Sequence, residues 1–488
     1  MTMSMHCSYI SPLRRAGIAA AAALLAACTV GPDFQRPQST TDTAYTNESL
    51  DHLGKAGGQQ LAPGNPSADW WTGFGSPELN RTMQQALAGN RSLAAAQANL
   101  AQAQESVIAS TGVLYPQVSG NAGAGRQKYG AQFSGNQLIP PFTYFSVGPS
   151  VSYVLDYNGG QSRAIEQQRA LAEVQAYQLQ AAYLAVTGNV AQQALAIAAA
   201  HAQITAVEQL LEEDKKNLTL TQSAFDTGSV SRIDLLSAQS QLANDQTLLP
   251  PLRQQLSVAR HALAILTGKT PAAWSAPDFA LDSLKLPRKL PLSLPSELAH
   301  RRPDILAAEA RLHAATANVG VATARLYPQL TLTASVGQQS TQISQLFEKS
   351  ANVWGLAAGL TGPIFDGGSL RAERRGAQDA TRAALADYEQ TVLQSFGQVA
   401  DVLTALDHDA EQLSAQQNAL DTAATNLDLT RQSYQVGNSG VLQVLDAERL
   451  YQQARLGYVR AQAQRYQDTA QLYLALGGAP SQQVASAH

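Results

Sequence analysis

The sequence has almost no cysteine, and the apolar run near its start is too short to cross a membrane as a helix. Cys7 and Cys28 are the only cysteines among 488 residues. A run of twelve mostly apolar residues, 16–27, follows Arg14 and Arg15, whereas a membrane-spanning helix needs about 20. A basic segment, a short apolar segment and small residues before a cut describe a secretory signal peptide. Removal of residues 1–27 leaves Cys28 as the only thiol, which excludes a disulfide.

The sequence also lacks a positive net charge and any metal-ligand spacing. The formal charge of −4 becomes −6 when Arg14 and Arg15 leave with the signal peptide, which argues against nucleic acid as a partner. The eight histidines form neither an HExxH motif nor a clustered pair, and His300 and His313 lie thirteen residues apart. We therefore expect a protein that is not an enzyme, binds no metal and has no cofactor.

Proline is absent from residues 161–249 and 367–479, which indicates long helices. Both stretches are rich in Ala, Gln, Leu, Glu and Arg, which are mostly strong helix formers. Gly228 and Gly437 mark the expected hairpin turns. A single helix over residues 161–226 would be on the order of 100 Å long. No compact globular domain accommodates such a helix, whereas a coiled coil or a tube does.

Shorter helices are expected from Pro77 to about Gly112 and from Ser231 to about Leu266. Pro250 and Pro251 should kink or break the second of them.

The chain contains a tandem duplication. Residues 90–118 match residues 302–330 without a gap, 212 positions later. NLTLTQSAFDTG at 217–228 returns as NLDLTRQSYQVG at 426–437. An internal repeat of roughly 210 residues predicts two copies of one domain-sized unit.

A stripe of apolar residues recurs every seven positions in both predicted long helices, which is typical of left-handed helix packing. The stripe consists of Ile204, Leu211, Leu218 and Phe225 in the first copy, and of Leu413, Leu420, Leu427 and Tyr434 in the second. Polar residues, including Asp214 and Thr221, occupy the positions between them. This half-polar seam favours helices packed sideways into a hollow wall over a two-stranded rod.

Four segments near residues 118–125, 145–155, 329–336 and 354–361 alternate apolar with small or hydroxyl-bearing residues. Such alternation is typical of membrane β-strands around a wet lumen, and also of a half-buried soluble sheet. In lipid, four strands cannot leave open edges, so the chain must oligomerise. Two chains would supply eight strands, too few for a channel, whereas three would supply twelve, enough for an aqueous lumen.

The end of the signal peptide, Leu25-Ala26-Ala27-Cys28, resembles the lipobox of bacterial lipoproteins. This resemblance implies cleavage before Cys28, diacylglycerol on its thiol and an acyl group on its amine. Thr29, which is not Asp, fits sorting to the outer membrane. The alternative is a free or buried cysteine after an ordinary signal cut.

Several longer motifs resemble the TolC-like outer-membrane efflux proteins, in the lipoprotein (NodT-type) branch that serves resistance-nodulation-division (RND) pumps. They are CTVGPDFQRP at 28–37, DWWTGFGSPELNRTMQQALAGN at 69–90, RRPDILAAEARLHAATANVGVATARLYPQL at 301–330 and FDGGSLRAE at 365–373. The resemblance implies an α+β membrane protein, in which three chains form a twelve-stranded β-barrel continuous with a long periplasmic α-helical barrel. It also implies passive export of small molecules such as drugs, powered by an inner-membrane pump through a periplasmic adaptor.

The resemblance further implies a gate where helix pairs of the second repeat close the periplasmic end. Its residues map onto Tyr434, Leu442, Asp446 and Arg449. Leu442 would form an apolar ring, and links between Asp446 and Arg449 would hold the helices closed. The alternative is an ordinary exposed pair on one helix. Contacts with the adaptor are expected near Gly228, Asp234 and Gly437.

The expected division of the chain follows from the duplication, and its proline-rich linker is interpreted as a surface connection between the repeats. It comprises a signal peptide (1–27), a lipid-anchored extension (28–68), a first repeat (69–270, β-hairpin about 114–158), a linker in an equatorial region (271–295), a second repeat (296–479, β-hairpin about 326–366) and a tail (480–488). Two other functions stay open, namely a type I secretion outlet and a non-conducting coiled-coil structural lipoprotein.

Overall fold

The computed structural model describes residues 29–38, 42–53, 58–130 and 139–478. The expected signal peptide, Cys28 and the tail therefore lie outside the described residues, as does much of the first hairpin tip. Contacts divide the chain into two compact units. Unit 1 contains Met1–Pro37, Leu100–Val174 and Ala308–Tyr388, and unit 2 contains Gln38–Asn99, Gln175–Ala307 and Glu389–His488. Each unit contains residues from both repeats.

The helices repeat in the order that the duplication predicts. They are α1 (Pro77–Gly89), α2 (Arg91–Gly112), α3 (Gly160–Asp226), α4 (Arg232–Gln246), α5 (Leu249–Leu266), α6 (Pro295–Ala299), α7 (Pro303–Ala324), α8 (Ser369–Gln435) and α9 (Val441–Ala475). The expected single long helices are confirmed, since α3 and α8 have 67 residues each. By length and composition α3 is apolar enough to cross a membrane, but 56% of its most apolar window is buried in the protein, as in a core helix.

Two helix boundaries differ from a continuous pattern. The expected helix from Pro77 to Gly112 is broken at Asn90, whose side-chain Oδ1 accepts the backbone N–H of Ser92 at 2.9 Å and of Leu93 at 3.1 Å. Asn90 thereby caps α2, so one predicted helix is two. The break expected at Pro250 and Pro251 is confirmed, because both prolines lie in the first turn of α5, where their missing N–H groups are tolerated.

The four expected membrane strands are confirmed and form one antiparallel sheet in unit 1. They are β2 (Gln117–Gln127), β3 (Phe142–Leu155), β5 (Gln329–Ser340) and β6 (Asn352–Thr361), in the spatial order β2-β3-β5-β6. Each repeat contributes one hairpin, and β3 pairs with β5 where the two repeats meet.

A second sheet, in unit 2, corrects the expectation for the linker. Strand β1 (Gln60–Pro63) pairs in parallel with β4 (Lys289–Leu292), which lies inside the proline-rich stretch 271–295. Phe279, Leu281 and Leu290 of this stretch are buried in the core of unit 2. The interpretation of the linker as a simple surface connection was wrong, because every few residues an apolar side chain anchors it to the core.

The core of unit 2 is built around an aromatic cluster next to the start of α1. Trp70 and Phe74 are 2% and 0% exposed. The Trp70 ring stacks on Tyr473 of α9 at a centroid distance of 5.3 Å. The conspicuous DWW motif is therefore a packing feature of the core.

Candidate membrane sheet and channel gate

Strand β6 exposes a row of large apolar side chains. Trp354, Leu356 and Leu360 are 76%, 75% and 68% exposed, and they alternate with Gly355 and Gly359 on the other face. One apolar face and one face of small residues is the arrangement of a strand between lipid and a lumen.

The sheet has two open edges within the described part of one chain. Strand β2 pairs only with β3, and β6 pairs only with β5. Open edges carry unpaired backbone N–H and C=O groups, which lipid cannot satisfy. A membrane location therefore requires further strands from other chains.

The same turn follows the long helix of each repeat. Gly228 and Gly437 have φ angles of +76° and +79°, a region that favours glycine. Ser229 N–H donates to Ala224 O at 2.8 Å, and Asn438 N–H donates to Ser433 O at 2.9 Å. These are the bonds of a Schellman motif, so both glycines have a structural role at a helix end.

The next helix starts differently in the two repeats. Ser231 and Asp234 form a capping box, in which Asp234 Oδ2 accepts the Ser231 N–H at 2.9 Å. In the second repeat Gln443 Oε1 accepts the Gly440 N–H at 2.6 Å. The Asp234 carboxylate thus helps to cap the N-terminus of α4. Its expected contact with an adaptor stays a prediction.

Three of the four predicted gate residues lie together at the start of α9. Arg449 Nη2 donates to Asp446 Oδ1 at 2.8 Å, with side-chain exposures of 46% and 62%. Leu442 and both charged residues line one cavity of about 150 Å³, the gate cavity, between α3, α4 and α9. Tyr434, at the end of α8, is 45% exposed and does not line it. Within one chain Asp446–Arg449 is a surface pair, and its role as a gate stays a prediction.

A buried polar network that the sequence analysis did not predict lies beside these residues. Glu448 is 2% exposed, and its carboxylate accepts from Asn217 Nδ2 at 3.0 Å and from Arg431 Nη2 at 2.9 Å. Arg431 also lies 3.6 Å from Glu213. The network joins α3, α8 and α9. Its members lie far apart in sequence, so no spacing within one helix could indicate them.

Asp214 of α3 lines the gate cavity and carries the strongest electrostatic perturbation there. It is 8% exposed. Burial raises the pKa of its carboxyl to about 7, and the charge of Asp245, a hydrogen bond with Asp245 and the charge of Glu448 add to this. The sequence signal was its position between the residues of the apolar stripe, which indicated a half-polar helix seam rather than a titratable site.

The segment directly after Cys28, residues 29–37, is fixed on unit 1. Val30 N–H donates to Asn158 O at 3.1 Å. Arg163 of α3, with a side chain 7% exposed, binds Asp33 at 2.5 Å and Glu166 at 2.7 Å. A Cβ at Gly31 would lie 2.4 Å from the Cα of Gly320, so this glycine allows close backbone contact with α7.

A second set of contacts holds the same segment. Phe34 stacks on the ring of His313 at 4.5 Å, and His313 Nε2 lies 2.9 Å from Glu166 Oε1. Burial alone would raise the pKa of the Glu166 carboxyl, but hydrogen bonds from Arg163 and His313 bring it below its ordinary value. These contacts therefore fix the position of residues 29–37 on the protein.

Comparison with known proteins agrees with this geometry. The profile of the family "Outer membrane efflux protein" matches residues 82–269 and 294–478. The pyoverdine export outer membrane protein OpmQ of Pseudomonas aeruginosa is 33% identical and covers 86% of this chain and 90% of its own length. The cation efflux system protein CusC of Escherichia coli is 30% identical and covers 93% and 97%. The solved outer-membrane channel OprN superposes with a TM-score of 0.84 at 29% identity, covering 92% and 99%.

The open antiparallel sheet, the two 67-residue helices and these likenesses define an outer-membrane channel of the TolC-like class. The chain belongs to the outer membrane efflux protein family. The expected fold class is confirmed, with four strands per chain in a trimeric twelve-stranded barrel that continues into a helical barrel. Its expected function as an outer-membrane efflux channel of Gram-negative bacteria with a large periplasmic portion is also confirmed. This family consists of channels rather than enzymes.

Proposed function

We propose that the chain is the exit duct of a tripartite pump, joined by a periplasmic adaptor to an inner-membrane RND-type pump. The likeness over nearly the full length of efflux relatives carries this proposal. Their names state different cargoes, which are pyoverdine, cations and solvents. Such variety supports a passive duct whose cargo the pump selects. Crosslinking from the helical turns in intact cells should capture an adaptor, and capture of none would contradict the proposal.

The proposed adaptor contacts are at the two turns, near Gly228, Asp234 and Gly437. A photo-crosslinker placed beside each turn tests them one at a time. A crosslinker at the exposed end of β6 serves as the control. Capture from β6 alone would remove the turns from the proposal.

We propose that Cys28 carries the acyl chains that add a lipid anchor to the barrel, without any other cofactor. The contacts of residues 29–37 support this, because the segment that follows the modified residue is held on the protein. Acyl chains contribute about 0.8 kcal/mol per buried methylene, so multiple acylation anchors stably. Mass spectrometry of the N-terminal peptide should show the added acyl mass. A Cys28→Ser variant should lack that mass, whereas an unmodified wild-type cysteine would contradict the proposal.

The division of the chain inferred from the duplication is retained as a proposal. It comprises 1–27, 28–68, 69–270, 271–295, 296–479 and 480–488. The two stretches that match the family profile, 82–269 and 294–478, support it. Limited proteolysis of the secreted chain tests the first boundary, since the mature N-terminus should be residue 28.

We propose that Tyr434, Leu442, Asp446 and Arg449 form the closed end of the channel in the trimer. The carrying observation is that Asp446 and Arg449 are paired but exposed within one chain, where copies from three chains could meet. Replacing both by alanine should raise single-channel conductance in planar bilayers. The exposed pair Asp379 and Arg382 has the same spacing on α8, so its double-alanine variant is the matched control. Equal conductance in the wild type and the Asp446/Arg449 variant would contradict the gate.

A further inference from the structure

The gate cavity contains charges of two kinds. Asp446 and Arg449 form an exposed pair on α9, whereas Asp214 of α3 is 8% exposed. All three residues line the same volume of about 150 Å³. The buried carboxyl and the proposed gate pair therefore border the same space.

Asp214 lacks a complete set of partners. Its Oδ2 atom has no hydrogen-bond partner among the residues that the structure describes. An ionised carboxylate that is buried without a cation is strongly unfavourable. The residue therefore either keeps a proton or acquires a positively charged neighbour.

The charged groups around Asp214 come from four helices. Asp245 of α4 and Glu448 of α9 are both acidic and both raise its proton affinity. Arg431 of α8 is engaged by Glu448 and lies near Glu213 of α3. These contacts leave Arg431 neutralised by its own carboxylates.

Arg449 is the cation that this cavity offers. Among the described residues that line the cavity, it carries the only positive charge. Its present partner, Asp446, is 62% exposed, and exposed pairs are weak and screened by salt. A buried ionised carboxyl attracts a guanidinium more strongly than an exposed one does, because water screens it less.

We propose that Asp214, assisted by Asp245, is a second partner for Arg449, and that loss of the proton from this carboxyl pair draws the guanidinium from Asp446 and releases the gate. This inference rests on the proposed gate. Asp214 is a positioning residue in it, since it acts on the channel only through Arg449.

The direction of the pH effect follows from the buried state of Asp214. Burial and then Asp245 raise the pKa of its carboxyl to about 7, so below that pH Asp214 is neutral and Arg449 stays on Asp446. Above it, Asp214 is charged and competes for Arg449. For such a group the ionised fraction rises about tenfold between pH 6 and pH 8. We expect the open probability of the channel to rise by about the same factor, and the closed state to dominate in acid.

The test compares purified trimers in planar bilayers between pH 5 and pH 9. Asp214→Asn should abolish the rise near pH 7, because the side chain no longer titrates. Asp245→Asn should keep the rise but shift its midpoint to lower pH, because a neighbouring charge is lost. Asp214→Glu should retain a pH-dependent rise. Asp226→Asn changes an exposed carboxylate on the same helix and should leave the profile unchanged.

The outcomes separate this inference from the gate on which it rests. If the Asp446/Arg449 double-alanine variant conducts more but Asp214→Asn keeps the wild-type pH profile, the gate stands and the inference is overturned. If the double variant does not change conductance, the gate is wrong and the inference falls with it. Thermal unfolding midpoints and trimer bands on gels identify any variant that fails to fold. If Asp214→Asn fails to fold, the pH profile of Asp245→Asn decides: a midpoint shifted to lower pH supports the inference, and an unshifted midpoint overturns it.

Discussion

Gly148 of β3 and Gly337 of β5 face each other where the hairpins of the two repeats join. A Cβ on Gly148 would lie 2.5 Å from the Cα of Gly337, and a Cβ on Gly337 would lie 2.5 Å from the carbonyl oxygen of Val147. The strand pairing passes over Gly148 and Pro149 and resumes at Ser150. Pro149 has no N–H to donate to a neighbouring strand, and the ladder between β3 and β5 is interrupted where the two glycines approach closely.

We expect Gly337→Ala to impair assembly of the barrel. The added methyl group cannot enter a backbone contact of 2.5 Å without moving one strand away from the other. The variant should show less heat-resistant trimer on gels and lower recovery from the outer membrane. The loss of stability should be that of an overpacked site, about 1–3 kcal/mol.

Gly359→Ala on β6 is the matched control for this prediction. A Cβ at Gly359 meets no atom within 4 Å in the described part of the chain. Trimer yield should therefore be that of the wild type. Equal loss of trimer in both variants would indicate that any side chain in the sheet is harmful, and would remove the special role of the seam between the repeats.

We expect Arg163→Gln to loosen the segment that follows Cys28. The variant loses the ion pairs of Arg163 with Asp33 and with Glu166. Glu166 then keeps its contact with His313 but has no arginine beside it. Chymotrypsin should cut after Phe34 several times faster than in the wild type, as measured by mass spectrometry. Arg169→Gln changes an exposed arginine on the same helix and should not alter the rate. Protection of Phe34 in the Arg163 variant would contradict this account.

The pair His52–Asp407 should make the docking of the N-terminal extension on unit 2 dependent on pH. Asp407 Oδ1 accepts the backbone N–H groups of His52 and Leu53, each at 2.8 Å, and Asp407 Oδ2 lies 2.8 Å from His52 Nδ1. The hydrogen bond with Asp407 raises the pKa of His52. The stabilisation of the folded state by the His52–Asp407 pair is therefore complete below about pH 6.5 and is lost as the pH rises through the folded-state pKa of His52.

The measurement is the thermal midpoint of His52→Gln against the wild type. The variant should be less stable at pH 5.5, and the difference should shrink at pH 8.5. The exposed His261 supplies the control, since His261→Gln should leave the midpoint unchanged at both values. A constant difference at both pH values would show that His52 acts by packing alone.

We expect Asp409→Asn to stabilise the protein in alkaline solution. Burial raises the pKa of Asp409 to about 7, and the hydrogen bond and charge of Asp468 add to this, while Arg465 partly opposes it. The folded state thus holds a proton that the unfolded chain releases, so stability falls as the pH rises from about 4 through 7. The free energy of unfolding of the variant should exceed that of the wild type by on the order of 2 kcal/mol at pH 8 and by much less at pH 4.5.

Thermal unfolding at the two pH values checks this prediction. Asp421→Asn is the control, because Asp421 is exposed on the same helix and accepts from Gln417. A loss of stability at pH 8 would mean that the Asp409 charge, through Arg465, supports the fold.

Much of the fold was predictable because its signals are local. Absence of proline and abundance of helix formers predicted α3 and α8, and alternation predicted all four membrane strands. The linker was misjudged because Leu290 and its neighbours pair with β1, which lies more than two hundred residues earlier. No local pattern distinguishes such a short parallel strand from an extended connection.

The candidate site was predictable in part, for a similar reason. Asp446 and Arg449 are three residues apart on one helix, so their pairing follows from helix geometry. The proximity of Asp214 to Asp245 and Glu448 depends on how three helices pack. The sequence showed Asp214 as a polar residue between the residues of the apolar stripe, but its raised proton affinity comes first from burial, which a sequence does not record.

The parallel pairing of β1 with β4 sets an order of events during synthesis. Gln60 lies opposite Lys289, so the first strand stays without its partner until the linker emerges. Contacts so distant in sequence form late, because a long loop must close before they do. Strand β1 therefore has no β-sheet partner while the first repeat is being made. The pairing of the extension with the linker therefore forms only after the whole first repeat has been exported.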